Sequence, residues 1–266
     1  MRLFDSHCHV EGKDYDSDRD QMMDRARAAG ICGVMVAGIT EQSCGNAIAL
    51  SERYPDWFLS VGVHPHDSQS LTEEGLARLA VLSRHAKVRA WGETGLDFVR
   101  MYSPKEVQER WFARQLATAQ SLGLPVILHE RGSGGRLLEI LKANLPERRG
   151  VVHCFSGTRE ELYEYLDLGF MIGITGVVTQ QARGEGLREL LPLIPEDRIL
   201  VETDAPYLTP SPERNKHRRN EPAFVASVFR KVCEVLEKDP EALEPVIFSN
   251  TCGVFGINAG EVRGRG

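Results

Sequence analysis

No stretch of this chain approaches the roughly 18 consecutive apolar residues that a membrane-spanning helix needs. The opening Met1-Arg2-Leu3-Phe4-Asp5 also lacks the apolar core and small-residue cleavage site of a secretory signal, so a cytoplasmic location is expected. Cysteine is sparse. The six residues (Cys8, Cys32, Cys44, Cys154, Cys233 and Cys252) include no Cys-x-x-Cys pair, and the chain is too long for a disulfide scaffold built on so few, so free thiols are expected. Cys8 and Cys154 adjoin histidines, but neighbours along a strand face opposite ways, and no metal role is expected of either. An excess of positive charge is missing too. With 32 Lys and Arg against 38 Asp and Glu the net charge is −6, which argues against a generic nucleic-acid coat and leaves room for a small basic mouth around a site. No low-complexity segment, linker or internal repeat breaks the chain.

What is present is a regular alternation. Short β-type runs at Leu3–His7, Gly33–Ala37, Phe58–Val63, Val88–Glu93, Val126–His129, Val151–Cys154, Phe170–Ile174 and Ile199–Glu202 are separated by helical spacing over 17–29, 41–53, 72–85, 104–122, 133–144, 158–168, 184–192 and 221–236. Strands alternating with longer helices predict a parallel sheet with crossover helices. Eight such units in 266 residues predict an α/β fold, a single (β/α)8 TIM barrel, with an extra C-terminal helical segment at Pro240–Phe255. One domain over 1–257 is expected, followed by a flexible, glycine- and charge-rich tail over 258–266. Local signals agree: Ser103-Pro104 reads as an N-cap with proline at the first helical position, Thr158-Arg159-Glu160-Glu161 as a capping box, and Gly123 as a helix stop.

The polar residues sort by position. In a parallel barrel the C-terminal strand ends form the face that carries chemistry. Of eight histidines, His7, His9, His64, His66, His129 and His153 fall at those ends, together with Glu93, Glu202 and Asp204. His7 and His9, two apart on an extended strand, leave it on the same side and can grip one cation. Imidazole with carboxylate suits a catalytic divalent ion, and incomplete protein ligation leaves a place for water, whose pKa the ion lowers towards neutrality. Asp204 is the candidate to take that water's proton. Four histidines and two carboxylates exceed the needs of one ion, so two ions are expected, with Glu93 between them. Arg131 carries a fork suited to phosphate, although a salt bridge accounts for it as well. Glu202 is either an extra ligand or support for one, or plainly structural. Asp5 is expected to brace strand 1 or the ligand rings, His66 to be a solvated or capping group, and the basic run Arg214–Arg219 to be a solvated loop or a nucleic-acid contact.

The set Asp5-x-His7-x-His9, Gly92-Glu93-Thr94-Gly95-Leu96-Asp97, Pro125-Val126-Ile127-Leu128-His129, His153-Cys154-Phe155-Ser156-Gly157, Glu202-Thr203-Asp204-Ala205-Pro206-Tyr207-Leu208 and Arg219-Asn220-Glu221-Pro222 resembles the TatD-type deoxyribonucleases of the amidohydrolase superfamily. The resemblance runs from residue 3 to about 255. It implies a TIM barrel that is a divalent-metal-dependent phosphodiesterase, a 3′→5′ exonuclease on DNA, preferably single-stranded. Two ions are implied, Mg2+ first and Mn2+ or Zn2+ as alternatives. His7, His9 and Asp204 would serve one, His129 and His153 the other, Glu93 both, and His64 would touch the substrate phosphate. The chain departs from the family pattern at His129-Glu130-Arg131-Gly132-Ser133-Gly134-Gly135, where an Arg-Asp-Ala continuation is usual, and in the stretch before Asn220. Two other functions therefore stay open: hydrolysis of a small amide, lactone or aminoacyl ester at the same site, and a nuclease subunit that acts within a nucleic-acid-processing or defence assembly.

Overall fold

The computed structural model of the protein describes residues 1–258 and 260–262. Eight strands, β1 (Leu3–Cys8), β2 (Ile31–Ala37), β3 (Trp57–Val61), β4 (Val88–Asp97), β5 (Val126–Arg131), β6 (Val151–His153), β7 (Met171–Ile174) and β8 (Ile199–Val201), follow one another in the sheet in sequence order. Helices α1 (Arg19–Ala28), α2 (Glu41–Ser51), α3 (Glu73–Leu82), α4 (Lys105–Leu122), α5 (Arg136–Ala143), α6 (Arg159–Asp167) and α7 (Glu185–Leu190) each follow a strand, and α8 (Val225–Leu236) and α9 (Pro240–Phe255) complete the chain. The expected (β/α)8 barrel is therefore the fold. The segment expected as a flexible tail is described only in part: residues 259 and 263–266 lie outside the described residues, while the Glu261 amide donates to the Asn258 carbonyl and Val262 is buried. No helix among the described residues is long and apolar enough to cross a membrane.

The chain packs as two compact units. The first comprises Met1–Val36, Tyr54–Trp57 and the chain from Ile172 onward. Here β1 pairs with β2 and β7 with β8, all parallel, and the chain just past β8 returns to β1 through the His9 amide on the Ala205 carbonyl (2.7 Å) and the Asp204 amide on the His7 carbonyl (2.9 Å). That return is the closure a barrel uses to leave no exposed sheet edge. Strands buried on both faces read as near-continuous apolar runs, and β8 (Ile-Leu-Val) is wholly buried.

The second unit comprises Ala37–Arg53 and Phe58–Met171, with β3, β4, β5 and β6 paired in parallel. β4 runs four residues past the expected end at Glu93, because Thr94-Gly95-Leu96-Asp97 pair with Leu128-His129-Glu130-Arg131 of β5 instead of leaving as a loop. Between Trp91 and Thr94 the strand spends three steps where β5 spends two, a bulge that falls at Gly92 and Glu93. Gly95 continues the strand at φ 150°, and a side chain there would lie 2.0 Å from the His129 carbonyl oxygen. Only glycine allows the two backbones to come so close.

The helix ends repay the local reading in two of three cases. Thr158 and Glu161 form the reciprocal capping box at α6, and Gly123 ends α4 in the left-handed conformation (φ 64°). Ser103 does not cap α4, whose preceding residue is Pro104. Its hydroxyl instead donates to the His66 carbonyl (2.9 Å) and accepts from the Gln69 amide (3.0 Å), since a buried hydroxyl at this point ties two loops together.

Candidate metal centres

The first unit brings His7, His9 and Asp204 together. His7 Nε2 and His9 Nε2 are 3.2 Å apart, with the rings edge to face, as expected of two residues spaced by two at the end of β1. Asp204 Oδ1 lies 3.9 Å from His7 Nε2 and 3.5 Å from His9 Nε2. These separations put a point equidistant from all three atoms roughly 2.1 Å from each, the distance that divalent ions keep from nitrogen and oxygen ligands. The donor set and its spacing fit a divalent cation.

Asp204 reaches this position through a backbone that most residues avoid. Its φ is 56°, in the left-handed region, at a cost of about 1–2 kcal/mol that aspartate tolerates better than bulkier residues. Its neighbours are fixed on every side. Buried Asp5 accepts the Thr203 amide (2.8 Å), the Thr203 hydroxyl (2.5 Å) and the His7 amide (3.4 Å), so it braces β1 against the end of β8. Burial pushes the Asp5 carboxyl up to about 8, against the pull of the Thr203 hydrogen bonds. Asn220, fully buried, donates from Nδ2 to the carbonyls of Thr203 (2.9 Å) and Tyr207 (2.6 Å), clamping the segment that contains Asp204.

The second unit brings His64, Glu93 and His129 together. His129 Nδ1 is 2.7 Å from Glu93 Oε1 and 3.2 Å from His64 Nε2, and His64 Nε2 is 3.6 Å from Glu93 Oε1. The equidistant point here is roughly 1.9 Å from each atom, slightly tight, because a hydrogen bond between Glu93 and His129 draws this triad together. Burial would lower the His129 pKa, but the Glu93 and Asp97 carboxylates outweigh it and lift the ring to about 9. The other ring nitrogen, Nε2, is buried without a hydrogen-bond partner, with Asp97 Oδ2 3.6 Å away. A ring anchored at Nδ1 with a carboxylate behind Nε2 is the usual arrangement of a metal-ligating histidine, so this triad also fits a cation. His153 Nε2 lies 4.0 Å from the same Glu93 oxygen, and its residue pairs with His129 in the β5–β6 register.

Helix α4 holds the second triad in place. Gln108 and Gln115 stand two helical turns apart, on one face, and both are buried. Gln115 accepts the Val63 amide (2.8 Å) and donates to the Val63 carbonyl (3.0 Å), fixing the residue before His64. Gln108 accepts the Asp97 amide (2.8 Å) and donates to the Asp97 and Ser103 carbonyls. Asp97 in turn holds His66 Nε2 at 2.7 Å and accepts the Val99 and Arg100 amides. Burial would raise its carboxyl, but the nearby His129 ring and the hydrogen bonds from the Arg100 amide and His66 hold it well below the usual carboxylate range.

The remaining candidate residues also lie at or just past the strand ends. His64, expected to touch substrate, is a member of the second triad, and its Nδ1 accepts the His66 amide as the cap of a 3-10 turn over Pro65–Ser70. The capping histidine is thus His64, and His66 is engaged by Asp97 rather than simply solvated. Glu202 is fully buried, accepts from Ser6 Oγ (3.1 Å), and has a carboxylate oxygen within 4.8 Å of a His7 nitrogen. Arg131 is exposed at the end of β5. In the loop after it, Gly132, Gly134 and Gly135 all take positive φ, and Glu130 pins Ser133 through both its amide (2.9 Å) and its hydroxyl (2.7 Å). Of the basic run, Arg219 is paired with Asp18 and lies over the Tyr15 ring, while Arg214, Lys216 and Arg218 are exposed. The sequence reading gave no role to Asp97, Asn220, Gln108 or Gln115. The available signals were the place of Asp97 and Asn220 within the family-like motifs, and the seven-residue spacing of two glutamines on the buried face of an amphipathic helix.

The profile of the TatD related DNase family matches residues 4–256. The chain belongs to that family. A 3′-5′ ssDNA/RNA exonuclease TatD of a Rahnella strain is 43% identical over 264 residues, covering 97% of this chain and 99% of the relative. A TatD homologue from Escherichia coli K12 shares the fold with a TM-score of 0.89 at 30% identity, covering 97% and 99% of the two chains. A TatD-family hydrolase from Entamoeba histolytica gives a TM-score of 0.88 at 25% identity, with the same coverage. Like other TatD-related proteins, this chain is a metal-dependent hydrolase of the nuclease type.

Proposed function

We propose that this TatD-related protein is a 3′→5′ exonuclease on single-stranded DNA, with a divalent cation at each of its two triads. The observation that carries the reading is that each unit independently gathers two imidazoles and one carboxylate at cation-binding spacing. The name of the Rahnella relative supports the polarity and the strandedness, and adds RNA as a second substrate to be tested. The relatives favour neither a small amide, lactone or ester substrate nor a dependence on an assembly. Mg2+ is proposed first, as the family resemblance implies, although two imidazoles per triad also suit Mn2+ or Zn2+.

When bound, the ions would supply positive charge to the phosphodiester and make water acidic enough to attack at neutral pH. The residues divide the remaining work. His7, His9 and Asp204 hold the first ion, and Asp204, with its second carboxylate oxygen, takes the proton of the attacking water. Glu93 and His129 hold the second, with His64 and His153 beside them. Arg131, exposed and forked, receives a phosphate oxygen. Glu202 supports the first triad through His7.

The test is to titrate Mg2+, Mn2+ and Zn2+ into metal-stripped protein with single-stranded DNA or RNA labelled at either end, beside Asp204→Asn. Mononucleotide release from the 3′ end, lost by about 100-fold or more in the variant while metal binding persists, is the expected result. Full activity of Asp204→Asn, or intact oligonucleotides with every metal, would overturn the proposal.

A further inference from the structure

A loop of the second unit carries an exposed apolar surface that its own chain leaves uncovered. After β4 the chain turns through Val99, Arg100, Met101 and Tyr102, with side chains of Val99, Met101 and Tyr102 exposed by 59%, 41% and 63%. Three large apolar residues exposed within four positions of one short loop call for an occupant. The loop is held firmly. Asp97 Oδ1 accepts the Val99 amide (3.0 Å) and the Arg100 amide (2.8 Å), and buried Gln108 donates to the Ser103 carbonyl (2.7 Å). Met101 is kept at φ 53°, a conformation that costs about 1–2 kcal/mol, while its side chain stays 41% exposed.

The surface is continuous with the second triad. The Tyr102 ring meets His66 edge to face at 4.7 Å, His66 meets His64 at 4.2 Å, and His64 meets His129 at 4.3 Å. An unbroken run of rings thus leads from an exposed tyrosine face to a candidate cation site. Arg100, exposed on the same loop, supplies the charge that a phosphate linkage would seek. A flat aromatic face beside an arginine, on a loop already ordered, is what an unstacked nucleobase with its phosphate requires, and such platforms accept any base.

We propose that Tyr102, flanked by Val99 and Met101, is a stacking platform for a base of the single-stranded nucleic acid whose phosphodiester is cleaved. This rests on the nuclease reading above, and adds where the substrate's base lies and why a single strand is taken. Tyr102 binds the substrate and takes no part in the bond-breaking step.

The test compares wild type, Tyr102→Ala and Tyr102→Trp on a short single-stranded oligonucleotide and on the same strand with abasic sites. On the normal strand Tyr102→Ala is expected to raise KM about tenfold with kcat nearly unchanged, and Tyr102→Trp to keep wild-type KM. On the abasic strand wild type and Tyr102→Ala should have equal KM. Cleavage by wild type with a KM that Tyr102→Ala leaves unchanged, or with an equal rise on both strands, overturns the platform and leaves the nuclease reading standing. Failure of wild type to cleave either strand removes the nuclease reading, and the platform falls with it.

Discussion

Replacing Asn220 by alanine removes three hydrogen bonds at once. Nδ2 serves the Thr203 and Tyr207 carbonyls, and Oδ1 accepts the Glu221 amide at 2.9 Å. Tyr207 is exposed, whereas Thr203 and Glu221 are buried. Two backbone groups would then lose their partners in the interior, at about 1–3 kcal/mol each, which gives an expected destabilisation of about 2–6 kcal/mol. Aspartate is the sharper probe. It keeps the shape and the acceptor but sets an oxygen against two carbonyls, so Asn220→Asp should be at least as damaging as Asn220→Ala. Urea unfolding followed by tryptophan fluorescence measures both, since a midpoint that falls at constant slope reports stability alone. The same clamp holds Asp204 in its left-handed conformation. Once released, Asp204 should relax, and metal affinity should fall about 10–100-fold under conditions in which the variant is still folded. A loss of stability below about 1 kcal/mol, or a tolerated aspartate, would refute the reasoning.

Three further outcomes are expected. Asp97→Asn should lower kcat by about tenfold or more with little change in KM, because the buried carboxylate that fixes His66 and backs His129 becomes an amide; wild-type turnover would show that these rings need no such support. Gly95→Ala should destabilise the protein by about 2 kcal/mol or more, since its side chain would meet the His129 carbonyl oxygen at 2.0 Å; a thermal melt unchanged from wild type would show that β4 and β5 can separate there freely. Asp18 is held down to about 2 by hydrogen bonds from Arg219 and Arg25, so its contribution is complete above the ordinary aspartate pKa and is lost as pH falls through about 2. Because the pair is partly exposed the effect is small, about 1 kcal/mol or less, and Asp18→Asn should show a flatter acid limb of stability between pH 4 and 2 than wild type. Identical acid limbs would count against it.

The alternation of eight apolar runs with eight helical stretches was enough to determine the barrel, because local periodicity decides strand and helix and parallel order leaves few topologies for them. Position at strand ends then picked out the histidines and carboxylates before any geometry was known. The residues that position those side chains had no role legible in the sequence, for a consistent reason. Asp97, Asn220, Gln108 and Gln115 act through hydrogen bonds to backbone groups far away in sequence, such as Asn220 to Thr203 and Gln115 to Val63. Composition and spacing say nothing about which distant carbonyl a buried amide will meet. Strand alternation also failed where the backbone leaves its period. The bulge at Gly92 and Glu93 and the left-handed Asp204 turn side chains to faces that counting by twos does not assign. The sequence therefore determined which residue types gather and which strand ends carry them. Only the tertiary structure decided the grouping of His64 with Glu93 and His129, because that grouping depends on how α4 anchors the end of β3 beside β4 and β5.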